Sequence, residues 1–170
     1  MATASSFSIT VVRSDVDLKA TIELFYAYAH SLGIDLSFQD FDTEMASMPG
    51  KYAPPTGELL LAKSTAGEAI GCAALRPLGL EGVCEIKRLY VTPLGRGTGV
   101  GKALAQAIVA QATELGYSEM RLDTLPSMTA AVGLYHSLGF VDILAYYATP
   151  LEGTRFLSLS LKPDQKKVDD

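Results

Sequence analysis

The sequence predicts a single domain of the α/β class, α+β in type, and two observations carry that prediction. The apolar runs "ELLLA" (58–62) and "AIGCAALRPL" (69–78) follow one another across the short turn "STAGE". Successive apolar runs joined by a turn read as a hairpin of central strands covered on both faces. Apolar residues also recur at helical spacing in three stretches, stopped by Gly33, Gly116 and Gly139. A chain of 170 residues, 48% apolar and 19% charged, is long enough to bury one proper core.

Each element has its own reason. "FSITVV" (7–12) alternates and is rich in β-branched residues, as a strand should be. Ser14 or Asp15 can cap the helix that follows, in which Leu18, Ile22, Phe25 and Ala29 form the stripe. A short helix is expected at 41–48. "PGKYAPPTG" (49–57) is a loop, because no regular element tolerates that density of proline and glycine. The hairpin comes next, then the strand "VCEIKRLYV" (83–91). A helix over 99–115 buries Val100, Leu104, Ala107 and Ile108. "EMRLDT" is a strand, and the helix after it turns Ala131, Leu134, Tyr135 and Leu138 to one face. "FVDIL" starts another strand. "RFLSLSL" (155–161) alternates as a half-exposed strand does. The core is expected over 7–161, with 162–170 as a polar tail.

Composition narrows the partners. A formal charge of −5 argues against nucleic acid, which favours a basic surface. The start "MATASSFSIT" lacks the basic and apolar regions of a signal peptide. No apolar run approaches the roughly 18 residues of a membrane span. A soluble, cytoplasmic protein with neither nucleic-acid nor membrane partners is expected. Cys72 and Cys84 lie in apolar strands, read as buried reduced thiols, and fit neither a zinc site nor a redox pair. His30 and His136 have no serine and acid partners at readable spacing, so no nucleophilic triad is expected. No metal site is expected.

The stretch "RLYVTPLGRGTGVGKAL" (88–104) raises the functional question. Glycines at this density bring backbone close to a phosphate. A P-loop requires Gly-x-x-x-x-Gly-Lys-Ser/Thr, but Arg96 and Ala103 stand at its ends. A dinucleotide fingerprint requires a third glycine where Lys102 or Leu104 stands, although Asp123 lies near the position of its acidic partner. Arg96-x-x-Gly99-x-Gly101, after a strand and opening a helix, fits better. There the backbone N–H groups of residues 97–102 and the positive helix end would face a pyrophosphate, with the Arg96 charge beside them.

With its flanks, "EIKRLYVTPLGRGTGVGKAL", "LGY" and "LYHSLGF", the chain resembles the GNAT superfamily of acetyl-CoA-dependent N-acetyltransferases. "YAPPTGELLLA" and "AYYATP" are similar to a branch of small GNAT proteins. The resemblance spans about residues 7–161. It implies a mixed, mostly antiparallel sheet of six to seven strands, splayed between the strands ending at Val91 and Thr124, with about four helices on its faces. It implies acetyl-CoA as acetyl donor, its pantetheine paired with free backbone of Leu89, Tyr90 and Val91 beside a bulge. The pyrophosphate would rest on Arg96, Gly97, Thr98, Gly99, Val100 and Gly101, and Lys102 either reaches the phosphates or is only solvated. A homodimer is compatible with the resemblance, and no interface is readable. One position departs from the pattern: many GNAT proteins place a coenzyme-contacting asparagine where Met128 stands.

Acetyl transfer to an amine needs a base, a stabilised oxyanion and a hydrogen bond or proton for the leaving thiolate. By strand alternation Glu85 shares a face with Lys87, Leu89 and Val91. It matches the base of the histone-acetylating GNAT branch and could act directly or through water. Its alternative is an ion pair with Lys87 or Arg88. Tyr135 matches the GNAT tyrosine near the coenzyme sulfur; its alternative is core packing. Tyr26, His30, Tyr52, Tyr146 and Tyr147 are candidate acceptor-site residues. The expected activity is direct acetyl transfer to a primary amine, on a small molecule or a protein. Competing readings are a non-catalytic acyl-CoA sensor and a dinucleotide-binding protein.

Overall fold

In the computed structural model, which describes residues 6–33, 35 and 40–162, seven strands form one open sheet. The strands are β1 (Phe7–Val11), β2 (Glu58–Ser64), β3 (Ala69–Pro77), β4 (Val83–Val91), β5 (Glu119–Thr124), β6 (Val141–Ile143) and β7 (Arg155–Ser160). The helices are α1 (Asp15–Leu32), α2 (Phe41–Ser47), α3 (Val100–Glu114) and α4 (Thr129–Ser137), with a 3-10 turn at Gly50–Tyr52. The polar tail expected at 162–170 lies outside the described residues from position 163.

The strand order is β1-β2-β3-β4-β5-β7-β6. Every neighbouring pair is antiparallel except β4 and β5. That pair is parallel and brief: Val83, Cys84 and Glu85 meet Glu119, Met120 and Arg121, and the strands then part. The helix α3 makes the crossover between them, as a parallel connection requires. The expected splayed sheet is therefore present, and its opening lies beyond Glu85.

Both faces of the sheet are covered. On one, Leu104, Ile108 and Ala112 of α3 and Tyr135 of α4 pack on Leu60, Leu75, Ile86 and Leu122. On the other, Leu24 and Phe25 of α1 and Phe41 and Met45 of α2 pack on Leu59, Leu61 and Ala74. Gly71 lets α3 sit this close: a Cβ there would lie 2.9 Å from Leu104 Cδ1 and 3.0 Å from Val100 Cγ1. The start of α3 is thus fixed against β3.

Two elements differ from expectation. Phe156, Leu157 and Ser158 are all buried, so β7 is not half-exposed. It lies inside the sheet between β5 and β6, and Tyr146 and Tyr147 cover Phe156 at ring distances of 5.1 and 5.2 Å. In α4 the buried residues are Val132 and Tyr135, so Val132 joins the stripe. Among the described residues no helix is long and apolar enough to cross a membrane.

Candidate active site

The site begins with an irregularity in β4. Cys72 pairs with Tyr90, but Ala74 pairs with Lys87, so β4 holds one residue too many opposite Ala73. Arg88 absorbs it with a φ of +57°, in the left-handed region. A non-glycine residue there costs about 1–2 kcal/mol, and such strain persists only where the surroundings hold it. Here α2 holds it: Arg88 Nε donates to Glu44 Oε2 at 3.2 Å, and the guanidinium lies 5.2 Å from the Phe41 ring centre.

The bulge corrects one expectation. Regular alternation would place Glu85, Lys87, Leu89 and Val91 on one face. Instead the extra residue reverses the strand: Leu89 and Val91 pack against the α3 side with Ile86, whereas Tyr90 packs against the α1 side. Glu85 and Lys87 therefore face away from Leu89 and Val91.

Past Val91 the chain turns through residues 92–99 into α3. Gly97 and Gly99 have φ of +76° and +85°, and a Cβ on either would meet nothing within 4 Å. These glycines serve backbone conformation and an open surface, not packing. The first α3 bond at this turn runs from Ala103 N–H to Gly99 O, at 3.1 Å. The N–H groups before it are the orphan donors of a helix start. Val100 is buried, so only its backbone is available, while Lys102 and Arg96 are exposed. Arg96 Nε reaches back to Val91 O at 3.4 Å.

Where β4 and β5 part there is a small cavity of about 70 Å³. Lys87, Leu89, Asp123, Met128 and Tyr135 line it, with Tyr28 from α1. Tyr135 is 6% exposed and packs edge-on to Phe140 at 5.5 Å. Burial, helped by Tyr28 and Asp123 nearby, raises its phenol well above the usual tyrosine range. Its proton therefore stays in place, which suits a hydrogen-bond donor better than an acid that dissociates. Burial likewise pushes Tyr28 up to about 12. Met128 approaches Thr124, whose Oγ1 lies 3.7 Å from the sulfur.

A larger cavity of about 650 Å³ adjoins it, with Lys87 common to both. Its floor is a saturated polar network. Arg76 contacts Glu85 Oε1 through Nε and one Nη, each at 2.9 Å, and Tyr146 donates to Glu85 Oε2 at 2.6 Å. Tyr52 donates to Glu44 Oε1 at 2.5 Å. Tyr147 donates to Asp123 Oδ2 at 2.6 Å, and Lys87 Nζ lies 3.4 Å from Asp123 Oδ1. Arg121 lies over the Tyr146 ring at 5.5 Å and is held by Glu119 at 2.8 Å. Burial first, then the Glu85 carboxylate, raises Tyr146 strongly.

Glu85 is ion-paired, as its alternative reading expected, but to Arg76 on β3 rather than to Lys87 or Arg88. Arg76 is its direct cross-strand partner, a relation invisible before the register is known. Of the candidate acceptor residues, Tyr52, Tyr146 and Tyr147 come together around the larger cavity. Tyr26 and His30 do not line either cavity. Tyr26 is 50% exposed with its ring against Phe41, and His30 sits exposed in the last turn of α1. The α1 face that meets the sheet carries Tyr28 instead. Glu44, Arg76, Lys87, Arg121 and Asp123 were missed as site residues. The available signal was charge inside otherwise apolar strands, as in "ALRPL", "EIKRL" and "MRLDT".

The remaining candidates are structural. Cys72 and Cys84 are buried free thiols, and burial raises both, Cys84 to about 12. His136 lies 3.0 Å from Asp142 on the exposed surface. Among the described residues no group of His, Cys, Asp and Glu could hold a metal ion.

Comparison with known proteins bears on this geometry. Residues 22–140 match the model of the acetyltransferase (GNAT) family. An uncharacterised N-acetyltransferase of Schizosaccharomyces pombe is 41% identical, over 92% of this chain and 96% of its own. Among solved structures, a Klebsiella pneumoniae protein assigned as an acyl-CoA N-acyltransferase superposes with a TM-score of 0.70 at 28% identity, covering 93% of this chain and 99% of its own. A Salmonella typhimurium protein assigned as an acetyltransferase, solved with acetyl-CoA, shares the fold at a TM-score of 0.70 and 21% identity, covering 97% and 98% of the two chains.

Proposed function

Because the chain belongs to the acetyltransferase (GNAT) family, we propose that it moves an acetyl group from acetyl-CoA directly to a primary amine, in one ternary complex and within one domain. Family membership makes the chain an acyltransferase; donor, acceptor and residue roles are the proposal. The observation that carries it is the parting of β4 and β5 beside a bulge, with an open glycine loop at one end of β4 and a polar cavity at the other.

The chain's residues suit this coenzyme. The φ values and open Cβ directions of Gly97 and Gly99 leave backbone uncovered at a helix start, which suits a diphosphate. In this reading Arg96 and Lys102 add positive charge there, and Gly97 to Gly101 supply N–H donors. Leu89, Tyr90 and Val91 offer backbone to the coenzyme arm, as an edge strand offers it to a peptide. Met128, whose sulfur accepts from Thr124, has no side-chain N–H to donate in place of asparagine. Bound there, acetyl-CoA supplies the acetyl group as an activated thioester.

The amine must be neutral to react. Glu85 is 1% exposed and both its oxygens are engaged, so an acceptor reaches it through Tyr146, which lines the cavity. Tyr146 takes a proton from the amine as it gives its own to Glu85. Lys87, on the boundary of both cavities, disfavours a second positive charge and so favours the neutral amine. A C–N bond forms, the thioester C–S bond breaks, and Tyr135 donates a hydrogen bond to the departing sulfur.

The test is release of free thiol from acetyl-CoA by purified protein across a panel of amines, with mass spectrometry of the products. Amine-dependent release with N-acetylated product is expected. Acetyl-CoA binding without turnover of any amine would contradict the reading.

A further inference from the structure

Resting on the transferase reading, we propose that the acceptor is a small amine that also carries a carboxylate, of the amino-acid class, and that Arg121 and Lys51 select it. The larger cavity decides this by what its polar groups have left to offer. Every carboxylate oxygen on its floor already has a donor: Glu85 from Arg76 and Tyr146, Glu44 from Tyr52 and Arg88. A distal ammonium, as in a polyamine, would have to share an oxygen that already serves a buried donor, and would find no carboxylate here whose charge is not already offset by an arginine. Asp40 is the remaining acid of the lining, and it stands exposed at the edge.

The spare donors belong to two cations of the lining: Arg76 is paired with Glu85 and Lys87 with Asp123, whereas Arg121 and Lys51 keep N–H groups to offer. Arg121 spends Nε and one Nη on Glu119, at 2.8 and 3.3 Å, which leaves its other Nη. Its plane is steadied by the Tyr146 ring, so the guanidinium is pre-positioned for a carboxylate. Lys51 is exposed in the turn before β2 and forms no ion pair among the described residues. Leu78, Leu80 and Pro49 add apolar surface for a side chain. A volume of about 650 Å³ is ample for an amino acid.

The proposed reaction conserves the carboxylate: the α-amine gains acetyl and gives its proton to the Tyr146–Glu85 pair, and coenzyme A leaves as a thiolate that takes a proton from solvent. Leucine and phenylalanine are compared with isoamylamine and phenethylamine, which lack only the carboxylate, and with spermidine and a lysine-containing peptide. Thiol release is followed with acetyl-CoA and the full chain. The amino acids should be used at least about tenfold more efficiently in kcat/KM. Arg121→Gln and Lys51→Gln should each raise KM for the amino acids severalfold to about tenfold, and Lys51→Gln should keep kcat within about threefold and leave the decarboxylated amines unaffected. Lys51 is exposed and lies outside the buried network, so its variant reads selection without a folding defect. Equal or better use of spermidine or the decarboxylated amines would overturn this proposal while leaving the transferase reading intact. So would unchanged KM in both variants. Acetyl-CoA binding with no amine turned over would remove the transferase reading itself, and this proposal with it.

Discussion

The two ends of β4 lead to regions built by opposite means. Past Val91 lies a continuous loop, residues 92–99, in which backbone N–H groups, positive φ values and empty space make the surface. Around Glu85 lies a cavity assembled from side chains of α2, the 3-10 turn, β3, β4, β5 and the segment between β6 and β7. The first depends on residues that lack side chains, the second on charged and phenolic groups that neutralise one another. In the proposed reading the backbone surface receives a diphosphate, which every acyl-CoA carries. A side-chain surface can differ from one relative to the next while the sheet stays the same. The loop is thus the general half of the site and the cavity the particular half.

The contrast can be broken most severely at the loop. Gly101→Glu places a carboxylate at the helix start. Its backbone is not in the left-handed region, and an added Cβ meets only Val91 Cγ2 at 3.5 Å. KM for acetyl-CoA should rise more than about 100-fold, with KM for the amine and the melting temperature little changed. Gly99→Glu should weaken binding as well, but its φ of +85° also strains the fold. A matched rise in both KM values would show that the two halves are not separate.

At the cavity, Glu85→Gln and Tyr146→Phe should each lower kcat by about 100-fold, the scale of a lost proton acceptor or relay. The double variant should be little worse than either single one, because the two groups share one hydrogen bond. Independent, multiplying effects would separate Tyr146 from Glu85.

Smaller effects test the bulge that joins the halves. Arg88→Ala loses the contacts to Glu44 and Phe41 and keeps a strained φ; Arg88→Gly loses the same contacts and relieves it. Unfolding in denaturant should find the glycine variant more stable than the alanine variant by about 1 kcal/mol. The reverse order would mean that the left-handed turn is not held at Arg88.

The smallest effect is a pH dependence. Tyr28 has a folded-state value of about 12 against its ordinary 10.0, raised chiefly by burial. The unfolded chain gives up that proton first, so stability is whole below pH 10 and falls as pH rises toward 12. Tyr28→Phe should flatten melting temperature against pH in that window. An unchanged slope would place the alkaline loss elsewhere, for instance at the buried cysteines.

How much could be read in advance follows from the same contrast. The shape of the loop was legible because it is local: Gly97, Gly99 and Gly101 lie close together in sequence, and the positive φ of Gly97 and Gly99 has few substitutes. The sheet, its splay and Tyr135 were legible for a similar reason, through periodicity and contiguous motifs. The Arg76–Glu85 pair was not, because the two residues meet only through the β3–β4 register. The resemblance implied a bulge beside Leu89 to Val91, yet its place at Arg88 and its consequence were missed: one inserted residue turns Leu89 and Val91 away from Glu85. Tyr28 was overlooked for Tyr26 because two positions along α1 move a side chain about 200° around the helix, from the buried face to solvent.

The most direct test of this division of labour is calorimetric titration of acetyl-CoA into the native protein and Glu85→Gln. If the coenzyme is held by the loop and by β4 beyond the bulge, the two dissociation constants should agree within about threefold, even though kcat of the variant is expected to be about 100-fold lower. A loss of acetyl-CoA affinity in Glu85→Gln of tenfold or more, about 1.4 kcal/mol, would contradict it.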